Sequence, residues 1–318
     1  MTQFDRLTLG RQAKELGFVR DTFEKVCRLV DVLSFMEKDP ALSDTLALKG
    51  GTAINLAFFD LPRLSVDIDL DFAKDVSREE MLEDRERITD HIQKYMAAAG
   101  YSLSPRSKQY HALDSFVFEY VNAGGMRDNL KIEINYMLRC HVLPLSCRNV
   151  ELPWNEEVLT VLCVDPLEIF AAKAVALMNR AAARDLYDMF NLQQNGHMDL
   201  GSRSLFRQAV LFYMAIASEN VPEHISFEAI DEITEHKIRT DLTPVLRRAS
   251  HFQLADAKEE VKTYLTDLLF PEGDLSFWKA FAGGKYKPEL LFDDPDVLER
   301  VRNHPMALWK CGKNVGKI

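Results

Sequence analysis

The segment Val66-Asp67-Ile68-Asp69-Leu70-Asp71-Phe72 alternates apolar and acidic residues without a break. A period of two belongs to a strand with one buried face, because on a helix the same residues would scatter around the axis. All three acids therefore project from one side, with neighbours about 6.5 to 7 Å apart. Like charges so spaced repel unless a cation sits between them, and hard oxygen ligands select Mg²⁺ or Mn²⁺. D-x-D-x-D also opens an EF-hand, but its sixth position here is Phe72 rather than Gly and its twelfth is Arg78 rather than Glu, so a calcium loop is excluded. The other reading is a solvated strand face, and the neighbouring residues decide between the two.

Upstream, the apolar stretch at 45–48 runs into Gly50-Gly51, a helix-like run from Thr52 to Phe58, and a turn at Asp60-Leu61-Pro62. This spacing predicts strand, glycine turn, helix. Gly50-Gly51-Thr52 offers backbone N–H groups, close approach and a hydroxyl, which suit the phosphates of a nucleotide. Neither G-x-x-x-x-G-K-[ST] nor G-x-G-x-x-G is present, so the P-loop and dinucleotide folds are disfavoured. Downstream, Phe116–Val121 and Leu130–Tyr136 alternate around Asn122-Ala123-Gly124-Gly125 and read as a hairpin. The polar face of the second carries Lys131, Glu133 and Asn135, so Glu133 supplies a third carboxylate if its strand lies beside the acidic one.

Elsewhere, apolar residues at Leu16, Val19, Phe23, Val26, Val30 and Leu33 predict one helix over 11–37, ended by Asp39-Pro40. Ser77 and Glu80 form a capping-box pattern that opens a helix ending near Gly100. A strand is expected over Val158–Val164, and Asp165-Pro166 then starts a stretch in which helical periods dominate. The predicted organisation is an α+β lobe, 1–164, followed by a mostly helical lobe, 165–318. The longest apolar run, Ala209–Ala217, has nine residues, half of the roughly 18 a membrane span requires. Asp5 and Arg6 lie in a polar N-terminus without a signal-like apolar region, so a cytoplasmic location is expected. Five scattered cysteines without a C-x-x-C pair read as buried thiols. With 49 acids against 39 bases the net charge is −10, which argues against coating nucleic acid and leaves only local contact. Candidate phosphate contacts are Lys237, Arg239, Arg247, Arg248 and His251, and the terminal Lys310, Lys313 and Lys317.

The glycine turn, Asp67 sixteen residues after Gly51, and a later strand with one acid together resemble the polymerase-β-like nucleotidyltransferases. The longer strings Lys49-Gly50-Gly51-Thr52 and Arg63-Leu64-Ser65-Val66-Asp67-Ile68-Asp69-Leu70-Asp71-Phe72 are more narrowly similar to the AbiEii-type nucleotidyltransferase toxins. Lys173, followed by Arg184-Asp185-Leu186-Tyr187-Asp188, matches a helical Lys and a later Asp of that family, and the resemblance spans about residues 45 to 195. Lys173 lies in an otherwise apolar helical run, where its charge is expected to find an anion. The resemblance implies a mixed-sheet core, with Asp67, Asp69 and Glu133 holding two Mg²⁺ or Mn²⁺ ions. Gly50, Gly51, Thr52, Arg63, Ser65 and Lys173 would then hold the triphosphate of an NTP, and Asp188 would act catalytically on the acceptor. It also implies a type IV toxin–antitoxin or abortive-infection system, with tRNA as acceptor and a cognate antitoxin as partner. Transfer to a protein or aminoglycoside-like hydroxyl, and a non-catalytic nucleotide sensor, are the competing functions.

Overall fold

In the computed structural model, residues 4–194, 203–217, 224–270 and 276–315 are described. They form two compact units, one of residues 1–139, 145–164 and 244–250 and one of 140–144, 165–243 and 251–318. The chain thus does not divide at a single point, since two short segments are exchanged across the sequence boundary.

The first unit opens with α1 (Arg6–Leu16) and α2 (Arg20–Lys38). Where the periodicity predicts one helix there are two, because Gly17 takes φ 80 and ends α1 with its N–H bonded back into the last turn. β1 (Leu46–Lys49) leads into α3 (Gly50–Ala53), a π turn over Ile54–Phe58, and β2 (Asp67–Phe72). α4 (Arg78–Ala98) starts at the expected capping box, with Ser77 and Glu80 bonded reciprocally. The strands β3 (Ser102–Leu103), β4 (Lys108–Gln109), β5 (Leu113–Val121), β6 (Arg127–Asn135), β7 (Ser146–Leu152) and β8 (Asn155–Cys163) complete the sheet. Its order is β3-β5-β6-β2-β1-β8-β7, with β4 beside β5. β1 runs antiparallel to β2 but parallel to β8, and β2 runs parallel to β6, so the sheet is mixed. Ile68, Leu70 and Phe72 on β2, Ile132 and Ile134 on β6, and Phe116 and Phe118 on β5 are all buried. The apolar half of each alternation therefore builds the core and leaves the polar half of β2 and β6 to the other face.

The segment 244–250 belongs to this unit through backbone pairing. The Leu64 N–H donates to the Val245 carbonyl at 2.8 Å, and Arg247 donates to the carbonyls of Leu61 and Asp60, each at 3.0 Å. Arg247 is thereby engaged in holding the turn that precedes β2, where the sequence suggested a phosphate contact.

The second unit contains α5 (Pro166–Asn179), α6 (Ala183–Gln194), α7 (Arg203–Ala217), α8 (Glu228–Asp231), α9 (Glu235–Lys237), α10 (Leu254–Leu269), α11 (Ser276–Ala282), α12 (Pro295–Val301) and α13 (Pro305–Val315). Asp165 caps α5 by accepting from the Leu167 N–H at 2.9 Å, with Pro166 in the first turn. The segment 140–144 is held by the fully buried Glu168. Its carboxylate accepts from the Leu143 N–H at 3.1 Å, lies 3.2 Å from His141 Nδ1, and accepts from the Tyr213 hydroxyl. Burial would raise the Glu168 carboxyl, but His141, Tyr213 and the Leu143 N–H outweigh it and hold it below the ordinary carboxylate value. Lys237 donates to the Ala181 carbonyl at 3.0 Å. Lys310 lies on α13, and Lys317 is outside the described residues. Cys27, Cys140, Cys163 and Cys311 are buried as expected, whereas Cys147 on the edge strand β7 is exposed. Among the described residues no helix is long and apolar enough to cross a membrane.

Candidate active site

The antiparallel register of β1 and β2 pairs Lys49 with Asp69, and the parallel register of β2 and β6 pairs Asp69 with Glu133 and Asp67 with Lys131. The condition on Glu133 is met: its strand is the neighbour of the acidic one, and in-register side chains share a face. Asp67 and Asp69 are half-buried, while Asp71, at 3% exposure, is buried. The three acids are therefore not equivalent. Asp71 is engaged by Lys49, whose Nζ lies 2.5 Å from its Oδ1. The Glu133 carboxylate lies 2.9 Å from Lys131 Nζ on the same strand.

Gly50 has φ 66, and an added Cβ would stand 2.6 Å from Asp69 Oδ2 and 3.3 Å from its Cγ. The glycine turn is thus folded directly against the Asp69 carboxylate, which no other residue type permits without displacing it. A Cβ on Gly51 would meet Arg63 Nη2 at 2.8 Å and Ser65 Oγ at 2.9 Å. Gly51 therefore gathers Arg63 and Ser65 around one backbone position. Gly50→Ala is expected to cost about 1–2 kcal/mol through the left-handed conformation alone. By displacing Asp69 it should also lower turnover on the order of 10²-fold. Gly51→Ala should melt closer to wild type. Comparing melting curves and turnover for the two variants checks this, and equal turnover in Gly50→Ala and wild type would contradict the placement.

Two expected phosphate ligands are also tied into the turn itself. Thr52 is fully buried and donates its hydroxyl to the Asp67 backbone carbonyl, so it ties the turn to β2. Arg63 is 1% exposed and donates through Nη1 to the Leu64 carbonyl at 2.9 Å, so its guanidinium braces the turn from within. Asn55, which carries no motif signal, joins the Gly51 turn to Arg63. It donates to the Gly51 carbonyl at 2.7 Å and accepts from the Arg63 N–H at 3.3 Å.

The described residues contain no cluster of three or more His, Cys, Asp or Glu side chains arranged to hold a metal. The donor set on β2 nevertheless suits Mg²⁺, which commonly takes one or two carboxylates and completes its octahedron with water and substrate phosphates. Asp67 and Asp69 are such a pair, all-oxygen and on one face.

In the second unit, Lys173 does find anions, and they are the protein's own. Its Nζ lies 2.8 Å from Asp185 Oδ1 and 3.1 Å from Asp188 Oδ2, with side-chain exposures of 12%, 3% and 2% for the three residues. Arg180 Nε also reaches Asp185, at 2.9 Å. Burial opposes ionisation of Asp185, but the charges and hydrogen bonds of Lys173 and Arg180 outweigh it and hold its carboxyl below the ordinary range. Asp188 is thus partnered by Lys173 on α5.

The model of the nucleotidyl transferase AbiEii toxin family, from the type IV toxin–antitoxin system, matches residues 34–282. The chain belongs to the AbiEii nucleotidyltransferase toxin family. It is accordingly an NTP-dependent nucleotidyltransferase, and as a type IV toxin it has an antitoxin as its counterpart. No curated protein is significantly similar to it in sequence. Among solved structures it is similar to MenT4, a nucleotidyltransferase toxin from Mycobacterium tuberculosis H37Rv, with a TM-score of 0.63 and 18% identity over 96% of this chain and 99% of that one. At that identity the likeness establishes the α+β fold. The AbiEii match includes the glycine turn, the acidic strand, Glu133 and the Lys173 group.

Proposed function

We propose that this AbiEii protein transfers a nucleoside monophosphate from an NTP to the 3′ end of tRNA with Mg²⁺, acting in the cytoplasm. The observation that carries the reading is the packing of the Gly50 turn against Asp69, with Glu133 in register beside it. A glycine turn and two carboxylates of a kind that suits a divalent cation thus lie at one point of the sheet.

Asp67 and Asp69, with Glu133 beside them, would hold two Mg²⁺ ions. When bound, those ions neutralise the triphosphate and acidify the attacking hydroxyl. The Gly50–Gly51 backbone and Ser65 hold phosphate oxygens, while Thr52 and Arg63 keep that turn in shape. Lys173 and Asp188, ion-paired within the second unit, are assigned to the catalytic residues through the family resemblance. The acceptor oxygen bonds to the α-phosphorus as the bond to pyrophosphate breaks. Glu133 joins the set by turning from Lys131.

The test is a panel of labelled NTPs, each with Mg²⁺, offered to purified tRNA, total protein and an aminoglycoside. Label on tRNA supports the reading, and label confined to protein or drug supports a competing one. With a net charge of −10, tRNA binding should need metal and nucleotide. Its salt slope should correspond to on the order of two to four phosphates. Gel-shift titration against salt measures both, and a steep slope without metal would contradict end recognition.

A further inference from the structure

We propose that Lys49 and Asp71 form a positioning pair of the transferase site: Asp71 fixes the lysine beside Asp69, and the lysine cancels the third acid of β2. The bound cations are then governed by two carboxylates of that strand rather than three. The proposal rests on the reading of Asp67 and Asp69 as metal ligands.

Three observations carry it. The acids of β2 share one face, yet only Asp71 is buried. Lys49 stands opposite Asp69 in the β1–β2 register but reaches diagonally to Asp71, at 2.5 Å, with side-chain exposures of 24% and 4%. Lys49 is also the residue immediately before the Gly50 turn, which packs on Asp69. A buried carboxylate two residues from a metal ligand would add an uncompensated negative charge to the cation field, because screening inside the protein is weak. Removing Asp71 alone would instead leave an ammonium beside Asp69. A side chain present only for packing would produce neither effect.

The inference therefore requires opposite shifts. Mn²⁺ binding to the nucleotide-free protein, followed by electron paramagnetic resonance at neutral pH, should tighten about tenfold in Lys49→Met and weaken about tenfold in Asp71→Asn. The double variant Lys49→Met/Asp71→Asn should return to within about twofold of wild type. Turnover should fall in both single variants, because each disturbs the lysine that leads into the Gly50 turn. If Asp71→Asn does not fold, Lys49→Met against the charge-retaining Lys49→Arg decides the matter. The first should tighten Mn²⁺ and the second leave its affinity within twofold. Shifts in the same direction, or none, overturn the proposal while leaving the metal reading standing. A wild-type Mn²⁺ signal that survives Asp67→Ala unchanged overturns the metal reading and the proposal with it.

Discussion

Asp67→Ala and Asp69→Ala are each expected to abolish nucleotide transfer, by on the order of 10³-fold or more, while the fold survives. Each would remove an oxygen ligand of the proposed metal from the polar face of β2. Each also relieves repulsion along a strand on which acids recur at every second position. Without metal, the melting temperature should hold or rise. Asp71→Ala should behave differently, since it strands the Lys49 ammonium against a buried position and should lower the melting temperature. Single-turnover transfer and thermal melting in EDTA separate the three variants. Full activity in Asp67→Ala or Asp69→Ala would end the metal-ligand assignment.

Lys173→Met is expected to destabilise the helical unit on the order of 3–5 kcal/mol, the range for removing one partner of a buried ion pair. Asp185 would retain Arg180, but Asp188, at 2% side-chain exposure, would lose the cation that the structure places on it. Lys173→Met/Asp188→Leu should recover most of the loss, because both charges leave together. Denaturant titration of the single and double variants measures this. A single variant as stable as wild type, with only nucleotide affinity reduced, would mean that the ammonium serves phosphate alone. The pH dependence follows from the depressed Asp185 carboxyl. Its contribution is present above its ordinary value of 3.8 and is lost as pH falls through the lower folded value, so Lys173→Met should flatten the acid side of the stability profile.

The sheet was legible wherever one face is buried, because alternation then writes the burial pattern into the sequence. β2, β5 and β6 follow it, and the capping box at Ser77 and the Asp165-Pro166 start give α4 and α5 their first turns. β7 was not legible, since its residues Ser146-Cys147-Arg148-Asn149 offer no apolar alternation and it pairs along one side only, with β8. The break at Gly17 was hidden because the apolar period continues across it from Leu16 to Val19. In the site, residue types and spacing pointed to Gly50, Asp67, Asp69 and Glu133; Asp69 is in register with Glu133, and the Gly50 turn packs on Asp69. What spacing could not supply is burial. Thr52 and Arg63 have the chemistry of phosphate ligands, and their buried side chains also bond backbone carbonyls. Lys173 looked in need of an anion because its partners lie twelve and fifteen residues away on the next helix. The Lys49–Asp71 pair crosses two strands and leaves no periodic trace.

Nucleotidyl transfer to the 3′ end of tRNA is tested most directly by offering the protein Mg²⁺ and an NTP labelled at either the α- or the γ-phosphate. Each is presented with intact tRNA and with tRNA whose terminal hydroxyls have been oxidised by periodate. The account predicts label on intact tRNA from the α-phosphate alone, release of pyrophosphate, and no labelling of the oxidised RNA. Undiminished labelling of oxidised tRNA, or label carried over from the γ-phosphate, would contradict it.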